Sequence, residues 1–139
     1  MIFMNRSIYL PFLLFIPLVF SCKNGHIEDD NDNPSSSNPV VTLTSPLQHQ
    51  DYQKDDTIYI YGTISDSENL HEVEVNVNDI TNNAALFHMH LHIHTQLYTV
   101  DTFFVVATTQ SALQYQVEVK GEDHYGNVGM KQVLVDVNP

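Results

Sequence analysis

From Phe87 to His94 the chain reads Phe-His-Met-His-Leu-His-Ile-His, a strict alternation of apolar side chains and imidazoles. Successive side chains of a strand point to opposite faces, so this pattern segregates completely in an extended chain and not on a helix. The segment is expected to place Phe87, Met89, Leu91 and Ile93 inside and His88, His90, His92 and His94 in one outward row. Such a segment calls for a sheet with one covered and one wet face.

The period of two runs from Val40 onward, and the frequent Val and Thr suit a pleated, half-buried surface. It predicts seven strands, over residues 40–45, 57–65, 70–78, 86–94, 97–106, 113–121 and 129–137. No capped apolar stripe of period 3.6 competes with them. Short strands at about ten-residue spacing predict an all-β fold, a seven-stranded β-sandwich over residues 40–139. Its core is expected from Ile58, Ile60 and Ile64, with Gly62 admitting the opposite sheet, and from Val73, Val75 and Val77. The apolar row of 87–93, with Leu113, Tyr115, Val117, Val119, Val133, Val135 and Val137, completes it. Residues 97–106 carry large apolar groups on both faces. That leaves their orientation open and allows a homodimer that buries one face.

The segment before residue 40 is of another kind. Arg6 is the only charge ahead of an apolar run from Ile8 to Phe20, interrupted by Pro11 and Pro17 and ending in Leu-Val-Phe-Ser-Cys. A membrane-spanning helix needs about 20 apolar residues, so this shorter run reads as a secretory signal over residues 1–21. Its end resembles the lipobox of bacterial lipoproteins, with Val19 and Ser21 matching and Phe20 bulkier than usual. That resemblance implies lipidation of Cys22, the only Cys, and anchoring to the outer membrane through the lipid. Removal of 21 residues holding one basic and no acidic group leaves 118 residues with 4 basic and 17 acidic groups, a net charge of −13. Residues 22–39 then form a lipidated Cys followed by a flexible acidic tether with too little apolar surface to order itself. Glu28-Asp29-Asp30 resembles the export signals of surface-exposed lipoproteins, which favours the outer face of the membrane over the periplasmic side.

Two stretches, SPLQHQDYQKDDTIYIYGTISDSENLHEVEVNVND (45–79) and VEVKGEDHYGNVGMKQVLVDV (117–137), resemble bacterial immunoglobulin-like domains of envelope proteins. The Asp123-His124-Tyr125-Gly126-Asn127 hairpin carries much of the likeness. It implies an immunoglobulin-like sandwich over about 40–138 and assigns the histidines no role.

The acidic balance excludes nucleic acid as a main partner, because such binding needs clustered Lys and Arg. A single Cys excludes an intramolecular disulfide, a CxxC redox pair and any cysteine-built zinc site. Imidazoles on one strand face recur every 6.6–6.8 Å or so, close enough for neighbours to share one ion at about 2.0–2.1 Å per nitrogen. A hairpin whose paired residue numbers sum to 164 keeps both core faces aligned between 70–78 and 86–94. It sets Glu72 opposite His92 and Glu74 opposite His90, and a tight turn at Thr95-Gln96 would add Asp101 opposite His90. Nitrogen and carboxylate donors together suit Zn²⁺, Ni²⁺ or Cu²⁺. With Met89 inside and Cys22 lipidated, Cu(I) is disfavoured.

The expected metal ligands are therefore His88, His90, His92, His94, Glu72, Glu74 and Asp101. His124 is added because the turns at one end of the sandwich gather Asp66, Glu68, His71, His94, Glu122, Asp123 and His124. Asp66 and Asp123 are also ordinary turn formers.

An enzyme is not expected. The chain has no glycine-rich phosphate loop, no Gly-x-Ser-x-Gly and no His-Glu-x-x-His. The reading that follows is a non-catalytic, lipid-anchored sandwich that binds divalent transition metal for sequestration, delivery or metal-dependent contact. The alternative is an adhesion or accessory module for a protein or glycan, with Tyr59, Tyr61 and Phe103 exposed and the His row incidental. A third use of the row is a surface whose charge changes with pH.

Overall fold

The structure is a computed structural model and describes residues 37–107 and 111–139. The expected signal segment, Cys22 and the tether up to residue 36 lie outside the described residues. The described chain forms six strands and no helix. They are β1 (Val40–Ser45), β2 (Gln50–Gln53), β3 (Thr57–Asp79), β4 (Ala84–Val105), β5 (Leu113–Asp123) and β6 (Val128–Asn138).

Five of the six take up the seven expected segments. The segments at 57–65 and 70–78 are one strand, β3, and those at 86–94 and 97–106 are one strand, β4. Residues β2 occupies were expected as a connection. Only Tyr52 of this four-residue strand is buried, so it shows little alternation, yet it pairs parallel to β6 from Gln50 opposite Val135 to Gln53 opposite Asn138.

β3 and β4 run antiparallel along almost their whole length, from Thr57 opposite Val105 to Asp79 opposite Ala84. Their flanking partners divide them. β1 pairs with the first half of β3, whereas β5, followed by β6 and β2, pairs with the second half. One layer of the sandwich is thus β1, early β3 and late β4. The other is early β4, late β3, β5, β6 and β2.

The long pair passes from layer to layer where its register shifts, between Ser65 and Glu72. The shift also exchanges parity. Ile58, Ile60 and Ile64 are fully buried before the bend, Val73, Val75 and Val77 after it. On β4, Phe87, Met89 and Ile93 pack on the core before the bend, and Tyr98, Val100 and Phe104 fill it beyond, with Val106 just past the strand's end. The orientation left open for 97–106 is therefore fixed, with Leu97, Phe103 and Val105 exposed. Fully burying one such Val or Ile contributes roughly 1.5–3 kcal/mol, so this inner set dominates over any single surface contact.

Two glycines show how closely the layers and strands approach. Gly62 meets the backbone of Thr42 on its neighbour β1, so the space it leaves is used by the paired strand and not by the opposite sheet. The opposite layer also comes close at Gly121, where an added Cβ would stand 2.5 Å from Cγ2 of Ile64.

Candidate metal centre

The turn after β3 sets the histidine register. Asp79 is buried, and its Oδ1 accepts hydrogen bonds from the backbone N–H of Thr81 (2.9 Å) and Asn82 (3.0 Å). Its Oδ2 accepts a third, from Asn82 Nδ2 at 2.8 Å. Burial alone would raise this carboxyl's pKa, but the donors together outweigh it and hold the group below its ordinary value. Asn83 completes the turn with φ 55°, a conformation Asn tolerates better than most residues.

Beyond the turn, Glu72 stands opposite His92, Glu74 opposite His90 and Asn76 opposite His88. This is the register expected from keeping both core faces aligned. His88, His90, His92 and His94 are all exposed, and the apolar residues between them are turned inward and half-buried. Glu72 lies between two imidazoles, with Oε2 3.4 Å from His90 Nε2 and Oε1 3.5 Å from His92 Nδ1. The His90 and His92 ring centroids are 4.9 Å apart.

The other members differ in availability. Glu74 joins Glu72 and His90 in a group whose ligand atoms all lie within 4.8 Å of one another. Its Oε1 also accepts a hydrogen bond from Lys120 Nζ at 3.2 Å, and Lys120 reaches Glu122 at 3.6 Å. The Glu74 hydrogen bond raises the Lys120 pKa, burial opposes it, and the two carboxylate charges add to the rise, so the ammonium stays charged. His88 Nδ1 is 2.7 Å from Asn76 Oδ1 and lies in none of the close groups found among the described residues.

Asp101 is not beside His90. The tight turn at Thr95-Gln96 does not form, because β4 continues straight through it into the other layer, where Asp101 pairs with Tyr61.

At the bend end of the sandwich, three imidazoles from separate elements meet. His71 of β3, His94 of β4 and His124 of the β5–β6 turn place ligand atoms within 4.8 Å of one another. His94 Nδ1 and His124 Nε2 are 3.0 Å apart, a hydrogen bond whose direction follows the tautomers, and their rings are stacked at 6°. The His71 ring centroid lies 4.8 Å from that of His124.

The turn holding His124 is built by Asp123, which is buried. Its Oδ1 accepts from the N–H of Tyr125 and of Asn127, each at 2.8 Å, and its Oδ2 from Asn127 Nδ2 at 2.7 Å. Gly126 follows with φ 82°, the left-handed region that glycine enters without penalty. Burial raises the Asp123 pKa, and these hydrogen bonds outweigh it to hold the carboxyl low. Asp123 therefore serves the turn, and its neighbour His124 serves the cluster.

His71 is the ligand candidate that strand parity hides. Alternation carried back from Val73 would bury His71 and expose Leu70. The register shift between Leu70 and Glu72 reverses this, so that Leu70 is fully buried and His71 half-buried among the other rings. The signal available in the sequence is the spacing itself. Leu70 and Val73 are three residues apart and cannot both point inward along a regular strand.

A two-layer sandwich with this topology and this Asp-built hairpin is an immunoglobulin-like module carrying an imidazole–carboxylate face. Residues 39–122 match the family model described as bacterial Ig domain, and the chain belongs to that family. No curated protein matches the sequence. Domains of this family are typically non-catalytic modules, and the match points to an extracellular or envelope protein. Among the described residues, no helix is long and apolar enough to cross a membrane.

Proposed function

We propose that this chain is a lipid-anchored envelope protein whose immunoglobulin-like domain binds a divalent transition metal on the outer face of β3 and β4. Cys22 is the proposed anchor. Glu72, His90 and His92 are the proposed ligands, with Glu74 as a further carboxylate. The observation that carries the reading is the position of Glu72, 3.4 Å from one imidazole nitrogen and 3.5 Å from another on adjacent outward positions of the facing strand. Two nitrogens and a carboxylate fit Zn²⁺, Ni²⁺ and Cu²⁺. An open, shallow face that leaves coordination positions to solvent suits capture and release better than permanent structural binding.

Calorimetric titration of the purified chain with Zn²⁺, Ni²⁺ and Cu²⁺ tests this. Micromolar or tighter binding that loses at least one equivalent in His90→Ala/His92→Ala supports the reading. Millimolar binding, or binding indifferent to which histidines are removed, contradicts it.

A second reading rests on the other layer. Tyr59 and Phe103 are paired across β3 and β4, 62% and 58% exposed, with ring centroids 6.5 Å apart. With Tyr61 and Val105 beside them they make an apolar outer face of the kind that contacts a protein or a sugar ring. The two readings use opposite faces of the sandwich.

A further inference from the structure

We infer that His71, His94 and His124 form a second metal centre, made of nitrogen donors alone and separate from the one around Glu72. It extends the metal reading to different ligands and does not need the first site to hold.

Three observations meet here. First, the ligands come from β3, β4 and the β5–β6 turn, so the fold and not one repetitive segment brings them together. Duplication of a His-x dipeptide could generate the β4 row, but it cannot place His71 and His124. Second, His71 Nδ1 is buried and has no hydrogen-bond partner. An imidazole nitrogen shut off from water without a partner is unfavourable, and drawing this ring into coordination offers it a role. Third, the turn that carries His124 is fixed by the buried Asp123, so its ligand is held on a built element.

The ligand sets also count ions. His71/His94/His124 and Glu72/Glu74/His90 share no residue, so both can be filled at once. A third close set, His71/Glu72/His92, takes His71 from one centre and Glu72 and His92 from the other, and can form only when both others are incomplete. Two ions at the ends are therefore compatible, and a single ion in the middle is the competing arrangement. Three imidazoles with the remaining positions open to solvent favour Zn²⁺, Ni²⁺ and Cu²⁺, whereas the carboxylate-rich set also admits harder ions such as Mn²⁺.

The test is a Zn²⁺ titration by calorimetry of the full chain, of His124→Ala, and of Glu72→Gln/His90→Ala, with thermal unfolding to verify the fold. His124 is exposed and outside the core, so its removal leaves the sandwich intact. The expected result is two equivalents for the wild type and one for each variant. Cu²⁺ bound to Glu72→Gln/His90→Ala should show nitrogen couplings in its electron paramagnetic resonance spectrum that are lost on adding His124→Ala. If His124→Ala keeps the wild-type stoichiometry and affinity, the second centre is overturned and the first survives. If only Glu72→Gln/His90→Ala keeps them, the first fails and the second stands. One equivalent abolished by either variant means a single shared site and overturns the separation. Absence of binding to the wild type overturns both.

Discussion

Glu72 faces His92 across β3 and β4, and its carboxylate also reaches His90, so one acidic side chain bridges two members of the histidine row. Replacing it by Gln keeps the shape and removes the charge. A contact to a charged group is worth about 1.5–3 kcal/mol, so Glu72→Gln should weaken Zn²⁺ binding at this site about 10- to 100-fold. The unfolding midpoint should scarcely move, because the ion pairs are at the surface. Calorimetry and a thermal melt on the same sample check both halves.

Lys120 should act in the opposite direction. Its ammonium holds Glu74 Oε1 at 3.2 Å and competes with any cation there. Lys120→Gln is expected to strengthen metal binding several-fold while costing at most about 1 kcal/mol of stability. Unchanged or weaker affinity in that variant would show that Glu74 takes no part.

The buried aspartates give the fold a defined acid sensitivity. Asp79 has its folded-state pKa below the ordinary carboxylate value, with hydrogen bonds outweighing burial. A depressed carboxyl contributes stability that is present above the unfolded-state pKa, near 3.9. That stability is lost as pH falls through the lower, folded-state value. Asp79→Asn should therefore be less stable than the wild type at pH 7, and the gap should narrow below about pH 4. Denaturant unfolding at pH 7 and pH 3 measures the difference.

Removing the second aspartate should disturb both stability and binding. Asp123→Ala leaves the N–H groups of Tyr125 and Asn127 without this acceptor, at a cost of roughly 1–3 kcal/mol for each group left unsatisfied. His124 loses its fixed position, so the imidazole cluster should open as well. The readouts are the unfolding midpoint and the Zn²⁺ stoichiometry.

Packing between the layers is tested at Gly121. A Cβ there would meet the fully buried Ile64 at 2.5 Å, and overpacking a closed core costs typically about 1–3 kcal/mol. Gly121→Ala should lower the unfolding midpoint without changing metal binding.

Much of this arrangement is legible in the sequence for a simple reason. A period of two states which face a side chain occupies, so the row at His88–His94 and its apolar complement follow directly. The pairing of Glu72 with His92 follows from requiring two alternating segments to bury their apolar faces together. What alternation cannot reveal is where a strand continues through a change of parity. The shift near Leu70 and the corresponding one near Gln96 look like turns, so β3 and β4 appear as four strands and Asp101 appears beside His90. β2 goes unseen because one buried Tyr among polar neighbours makes no pattern. The meeting of His71, His94 and His124 depends on the layer crossing. The sequence places these residues at one end of the sandwich without showing that their rings touch.

The most direct measurement is a ¹⁵N-resolved spectrum of the histidine side chains during titration with Zn²⁺. Eight imidazoles are present in the chain. The ring nitrogens of His90 and His92 should move to values typical of ligated imidazole at low Zn²⁺ excess, while those of His49 stay in place. Equal, gradual shifts of every histidine, His49 included, would mean that the metal meets only a collection of surface imidazoles, and would contradict a built centre on β3 and β4.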